Sequence, residues 1–137
     1  MRQVPGHPLW LGHLGDARDV RGILSAGIAA VIDLALNESP LPLTRELVYC
    51  RFPLIDGPGN PAWLLRTAVD VVARLLGSGT PTLVYCGAGM SRTPAIAAGA
   101  LSLVLGCRPT EALALVARWG PADVMPGLWE EVRAALA

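Results

Sequence analysis

The chain has 137 residues and a mass of 14.4 kDa, which suits one domain with one hydrophobic core. Hydrophobic residues make up 53% and charged residues only 16%, against roughly 25% charged in an average soluble protein, so a disordered chain is excluded. Eleven basic and eleven acidic residues cancel, which argues against nucleic acid or an anionic membrane as the partner. We therefore predict a single domain over residues 1–137.

The sequence shows neither a membrane span nor a secretory signal. The charge-free stretch from Thr93 to Cys107 has fifteen residues, fewer than the roughly 20 that a transmembrane helix needs. Proline and glycine interrupt the first ten residues, unlike the apolar run of a signal peptide. Three cysteines and two histidines without a CxxC pair support neither a disulfide framework nor a zinc site. We expect a cytoplasmic protein without metal or cofactor, and its oligomeric state stays open.

Strand-like and helix-like segments alternate along the chain. Short apolar runs typical of buried strands lie at 9–11, 29–34, 47–52 and 82–85. Helical spacing of apolar residues occurs at 16–26, 61–76, 109–118 and 126–136, and a further helix is predicted to begin after Thr93. This alternation predicts an α/β fold with a central, mainly parallel sheet of four to five strands flanked by helices.

The loop after the strand at 82–85 reads Cys86-Gly87-Ala88-Gly89-Met90-Ser91-Arg92. A loop between a strand and a helix N-terminus presents backbone N–H groups, and with the helix dipole these attract anions. The same groups stabilise a thiolate, which is the form of cysteine that attacks phosphorus. The planar guanidinium of Arg92 suits two phosphoryl oxygens. The sequence therefore predicts a nucleophile and a phosphate site in one loop.

The loop resembles the signature of the dual-specificity protein phosphatases, which belong to the cysteine-dependent tyrosine phosphatase superfamily. That signature is Cys-x2-Gly-x2-Arg followed by Ser or Thr, matched here by Cys86, Gly89, Arg92 and Thr93. Similar segments span nearly the whole chain, at 11–12, 16–18, 27–32, 111–113 and 126–128. The resemblance implies a tyrosine-phosphatase-like fold. It also implies Cys86 as nucleophile, Gly87 to Arg92 as phosphate cradle, Arg92 as clamp, and Thr93 as the hydroxyl that assists breakdown of a phosphocysteine.

A general acid is also needed, because the leaving oxygen must be protonated as the P–O bond breaks. Asp56 is the candidate, since it lies thirty residues before Cys86 in the loop at 55–60, where the family carries its aspartate. Asp56-Gly57 is also an ordinary turn dipeptide, so a purely structural role stays open. Asp123 is the alternative acid.

These residues predict hydrolysis of phosphotyrosine, and of phosphoserine or phosphothreonine, in phosphorylated proteins through a phosphocysteine. The alternative is a phosphoprotein-binding module with the same fold and little turnover, motivated by Tyr85, which stands where the family usually has His. Sulfur transfer by a rhodanese-like protein also uses a loop cysteine, but it does not account for Asp56 and Thr93.

Two further features leave alternatives open. Trp119-Gly120 replaces an Arg-Pro pair that the family often carries, which bears on substrate contacts rather than on chemistry. Cys50 lies on the predicted strand that leads to Asp56, and it is either a plain buried cysteine or the partner of Cys86 in a reversible, protective disulfide.

Overall fold

The computed structural model describes all residues from Met1 to Ala137. Five strands form one sheet: β1 (Arg2–Gln3), β2 (Leu9–His13), β3 (Ala30–Ala35), β4 (Val48–Leu54) and β5 (Thr82–Cys86). Six helices surround it: α1 (Leu14–Arg18), α2 (Val20–Ser25), α3 (Ala62–Gly77), α4 (Arg92–Leu105), α5 (Pro109–Ala117) and α6 (Pro126–Leu136). The α/β fold predicted from the sequence is confirmed.

The order of the strands in the sheet is β1-β2-β5-β3-β4. The four longer strands are parallel, and β1 pairs antiparallel with β2 at one edge. The parallel strands therefore end at the same edge of the sheet, at His13, Ala35, Leu54 and Cys86. In open α/β sheets, ligands bind beyond this carboxyl edge, so the loop after β5 lies where a site is expected.

Two hydrophobic clusters cover the two faces of the sheet. The larger cluster joins Val84 and Cys86 of β5 to α3, α4, α5 and α6. The smaller joins Tyr85 to α1, α2 and parts of β3. Because successive side chains of a strand point to opposite faces, Tyr85 and Cys86 belong to different cores. None of the helices combines the length and the apolar character required to cross a lipid bilayer.

One predicted helix was wrong, and one strand was not predicted. The helix predicted over 16–26 is two helices, because Asp19 has φ −86° and ψ 75°, which interrupts the helical backbone. The Asp19 side chain accepts a hydrogen bond from the Gly22 N–H at 3.0 Å and so caps α2. The edge strand β1 was not predicted, since two residues carry no recognisable pattern.

Candidate active site

Cys86 is the last residue of β5 and only 2% of its surface is exposed. Its Sγ accepts a hydrogen bond from the backbone N–H of Gly89 at 3.3 Å. The chain therefore curls around the sulfur within three residues. The Gly89 N–H is therefore in place to donate to the sulfur of a cysteine nucleophile.

Gly89 makes this curl possible, since its φ is +76°. A Cβ built on Gly89 would lie 2.7 Å from the carbonyl oxygen of Gly12 on β2, closer than real Cβ contacts. Glycine is therefore required at this position for two reasons: its positive φ, and the close approach of β2. The sequence predicted this glycine only through the family signature.

Three hydrogen bonds tie the loop to two other segments, the start of α1 and the segment before α6. The Gly87 carbonyl accepts a hydrogen bond from the Leu14 N–H at 3.2 Å, and the Met90 carbonyl accepts one from the Asp123 N–H at 2.7 Å. The Ser91 hydroxyl oxygen accepts one from the Met125 N–H at 3.0 Å. These bonds occupy two carbonyls and one hydroxyl of the loop, while the Gly89 N–H is directed to the sulfur, as a phosphate cradle requires.

Arg92 begins α4 and its guanidinium is held by the ends of two strands. Its Nη1 donates to the carbonyl of Leu54 at 3.1 Å and to that of Leu34 at 3.5 Å. Its Nε is buried and donates to no acceptor of the protein. The side chain is thus fixed from behind, with donors left over for an anion.

Thr93 is completely buried, and its hydroxyl donates to the Gly12 carbonyl at 3.5 Å. Ser91, not Thr93, is the N-cap residue of α4, and its side chain makes no capping bond because it is committed to Met125. Thr93 therefore lies in the first turn of the helix, at the back of the loop.

Asp56 lies in the loop between β4 and α3, and its side chain is exposed. Asn60 organises this loop, because its Oδ1 accepts from the Ile55 N–H at 2.8 Å and its Nδ2 donates to the Ile55 and Gly57 carbonyls. The carboxylate of Glu131 on α6 accepts from the N–H groups of Gly59 and Asn60, at 2.7 and 3.1 Å. The loop that carries Asp56 is therefore fixed from inside and from α6.

Close packing of α6 supports the same loop. A Cβ on Gly127 would lie 2.8 Å from Cδ of Pro58, so the helix touches the loop with no room for a side chain. Asp123, the alternative acid, is also exposed, and its backbone is bonded to Met90. The structure thus brings both aspartates to the carboxyl edge of the sheet, one on each of two separate loops.

Glu38, in the segment after β3, was missed by the sequence reasoning. Its Oε1 lies 2.9 Å from the position a Cβ would take on Gly87, and Nη2 of Arg92 lies 3.4 Å from that position. Its Oε2 is buried without a donor. Arg51 holds the segment, since its Nη2 donates to the Glu38 carbonyl at 3.1 Å. A lone Glu in a polar loop carries no pattern that would have revealed this.

Tyr85 does not face the thiol. Its side chain is fully buried in the smaller core, beside Tyr49 and Asp33. Tyr49 donates a short hydrogen bond to the Asp33 carboxylate. Burial raises the pKa of Tyr85 far above its ordinary value, and the neighbouring Tyr49 hydroxyl and Asp33 carboxylate raise that pKa further. Any effect of replacing the family's His by Tyr85 on the thiolate would pass through the backbone rather than through direct contact.

All three cysteines are free, and Cys50 is too far from Cys86 for a disulfide. Cys50 pairs in register with Ile32, and Ile32 with Val84, so one whole strand separates β4 from β5. Strand and residue spacings put the two Cα atoms roughly 11 Å apart, beyond the limit of about 7 Å for a disulfide. In this conformation Cys50 is a partly buried cysteine of the sheet.

No family model matches the chain. Among curated proteins, the chain is 28% identical over 131 residues to human dual specificity protein phosphatase 15, covering 94% of this chain and 43% of that protein. The mouse protein of the same name is 29% identical over 131 residues, with 94% and 54% covered. The chain thus spans about half the length of the curated relatives it matches.

Solved structures agree with these matches. The crystal structure of DUSP15 is 26% identical, has a TM-score of 0.83, and aligns over 99% of this chain and 86% of that one. The chain is thus similar to dual-specificity phosphatases in both sequence and fold. The crystal structure of human DUSP28, at 22% identity and a TM-score of 0.87, covers 99% of this chain and 95% of its own and shows the same fold. The family resemblance predicted from the loop is confirmed.

Proposed function

We propose that this protein is a phosphatase of the dual-specificity type that hydrolyses phosphate monoesters on proteins, with residues 1–137 acting as one catalytic domain. The observation that carries the proposal is the Gly89 N–H donated to the Cys86 sulfur at 3.3 Å, in a loop that ends on Arg92. A nucleophile, N–H donors and a fixed guanidinium in one loop suit a phosphoryl group that is attacked and held in one place. The likeness to named phosphatases supports the same activity.

In the first step, the Cys86 thiolate attacks phosphorus, the S–P bond forms and the P–O bond to the leaving group breaks. Asp56 donates its proton to the leaving oxygen. The loop N–H groups and the donors of Arg92 stabilise the equatorial oxygens of the transition state. The products are a phosphocysteine, the dephosphorylated side chain and an ionised Asp56.

In the second step, the Asp56 carboxylate takes a proton from water, and the oxygen attacks phosphorus. The P–S bond breaks, phosphate leaves and the Cys86 thiolate is regenerated. We assign Thr93 to the support of the departing sulfur, a role that its place in the first turn of α4 allows. No step requires a metal ion or a cofactor.

Phosphorylated tyrosine, and phosphorylated serine or threonine, are the proposed substrates. We place this activity in the cytoplasm, because a thiolate nucleophile must stay reduced and all three cysteines are free. The balanced charge of the chain speaks against nucleic acid or an anionic membrane as partner. The comparisons favour the enzyme over a phosphoprotein-binding module.

Hydrolysis of p-nitrophenyl phosphate, with and without EDTA, tests the proposal. We expect turnover that survives EDTA and is abolished in Cys86→Ser, while that variant still binds vanadate through the loop and Arg92. Trapping of a radiolabelled phosphoryl group on the native protein, but not on Cys86→Ser, would identify the intermediate. Native protein that binds a phosphopeptide but hydrolyses neither that peptide nor p-nitrophenyl phosphate would support the binding module instead.

A further inference from the structure

A groove of about 570 Å³ lies between α5 and α6, and no residue of the loop at 86–92 lines it. Most of its lining is apolar and comes from both helices and the segment between them, including Leu113, Ala117, Val124 and Trp129. A volume of this size falls within the range of ligand pockets, about 300–1,000 Å³, and suits a few side chains rather than a folded domain.

One wall of the groove is joined to the catalytic loop by backbone hydrogen bonds. Asp123 lines the groove, and its N–H donates to the Met90 carbonyl at 2.7 Å. Two residues on, the Met125 N–H donates to the Ser91 hydroxyl at 3.0 Å. A chain with its phosphorylated side chain over Cys86 would therefore reach the groove within a few residues, since an extended chain advances about 3.3 Å per residue.

The charge of the groove selects what it can hold. Its only charged lining residues are Asp123 and Glu130, and no basic residue lines it. Glu130 is partly neutralised by Arg133 at 3.4 Å, whereas Asp123 takes part in no ion pair. The closest basic residue along the chain, Arg118, lies over the Trp119 ring at 5.9 Å. The free charge of the groove is thus negative and lies at its end nearest the loop.

We propose that this groove docks a segment of the phosphoprotein substrate that carries an apolar residue flanked by a basic one. The apolar side chain packs between α5 and α6, and the basic side chain pairs with Asp123. This inference rests on the proposed phosphatase function and names the class of protein substrate. A polyanionic lipid headgroup would meet the Asp123 carboxylate here, which disfavours it as the occupant.

Phosphotyrosine peptides test the docking. In the first set, each peptide carries one Leu at a different position near the phosphotyrosine, with either Arg or Glu beside that Leu. In the second set, Ala replaces the Leu. We expect kcat/KM to be highest for one Leu–Arg arrangement, and to fall about tenfold or more on replacing Leu by Ala, which corresponds to about 1.4 kcal/mol. Equal kcat/KM for all peptides, or faster turnover of phosphatidylinositol phosphate vesicles, would overturn the proposal.

Ala117→Leu fills the groove at an exposed position of α5, and Ala134→Leu is the matched control on the exposed side of α6 outside the groove. We expect the ratio of peptide kcat/KM to p-nitrophenyl phosphate kcat/KM to fall about tenfold in Ala117→Leu and to be unchanged in Ala134→Leu. Ala114→Leu, also exposed and in the groove, replaces Ala117→Leu if the latter unfolds at a lower temperature than the native protein.

Binding measurements separate the docking from the catalytic function. Fluorescence anisotropy of the labelled Leu–Arg phosphopeptide on Cys86→Ser needs no turnover. We expect the Kd to rise about tenfold when Ala117→Leu is added to Cys86→Ser. An unchanged Kd overturns the docking proposal even if the native protein is an active phosphatase. A native protein without turnover, but with this shift in Kd, overturns the phosphatase function and leaves the groove as a binding site.

Discussion

The carboxylate of Glu131 accepts a hydrogen bond from the backbone N–H of Asn60 at 3.1 Å, across 71 positions of sequence. Its other oxygen accepts from the neighbouring Gly59 N–H at 2.7 Å. One side chain of the last helix thereby holds two consecutive residues of the loop that carries Asp56. The position of the proposed general acid depends on a helix that carries none of the proposed catalytic residues.

Replacing this carboxylate tests its influence on the proposed acid. In Glu131→Ala, two backbone donors lose their acceptor, so we expect a loss of about 1–2 kcal/mol in the free energy of unfolding. Hydrolysis of alkyl phosphates should slow more than that of aryl phosphates with acidic leaving groups. Urea unfolding and steady-state rates measure both effects. Asp70→Ala, which removes an exposed carboxylate paired with Arg66 on α3, is the control. The same rate pattern in both variants would contradict a positioning role.

Asp56→Asn tests the proton donor itself. Loss of general acid catalysis should slow alkyl phosphate hydrolysis by about 10²- to 10⁴-fold, and hydrolysis of aryl phosphates with acidic leaving groups much less, because those groups leave without protonation. Rates plotted against leaving-group pKa reveal the difference as a steeper slope. If Asp123→Asn shows this steeper slope and Asp56→Asn does not, the proton donor is Asp123.

Gly89→Ala tests the fit of the loop against β2. The added Cβ would meet the Gly12 carbonyl oxygen at 2.7 Å, and φ of +76° disfavours any side chain. We expect a loss of about 1–3 kcal/mol in the free energy of unfolding and at least a tenfold lower kcat/KM, because the N–H to Cys86 is displaced. Gly79→Ala has a similar φ, +72°, with nothing within 4 Å of its Cβ. Equal effects of the two substitutions would show that only the backbone angle matters.

Tyr85 links stability to alkaline pH. Its ordinary pKa is 10.0, and burial raises this pKa in the folded protein, so above about pH 10 the unfolded chain releases a proton that the folded chain keeps. The contribution of Tyr85 to the free energy of unfolding is therefore fully present below about pH 10 and is lost as the pH rises above that value. The expected slope is about 1.4 kcal/mol per pH unit for one such group.

Tyr85→Phe should therefore reduce the loss of stability between about pH 9 and pH 11, as measured by urea unfolding at each pH. Its hydroxyl is buried without a hydrogen bond of ordinary geometry, so the substitution should cost little stability near neutral pH. Tyr49→Phe is a weaker comparison, since the pKa of Tyr49 is also raised, by burial first and then by its bond to Asp33. An unchanged pH slope in Tyr85→Phe would contradict burial of its hydroxyl.

The sequence alone predicts the chemistry of this protein, because the residues that carry it lie close together in the chain. Cys86, Gly89 and Arg92 lie within seven consecutive residues, and the apolar run before them and the proline after them mark a strand and a helix. Alternation of such segments was enough to predict the parallel sheet. The single helix predicted at 16–26 failed because its pattern of apolar residues continues through Asp19, whose side chain caps the next turn instead.

Contacts between residues far apart in the sequence were revealed only by the tertiary structure. Glu131 lies beside the loop of Asp56, and Glu38 beside Gly87, because helices and loops converge on one edge of the sheet. Asp33 and Tyr85 meet because β3 and β5 are neighbours although 52 positions separate them. The spacing of apolar residues predicts which face of a helix or strand is buried, but it does not predict which other element covers that face.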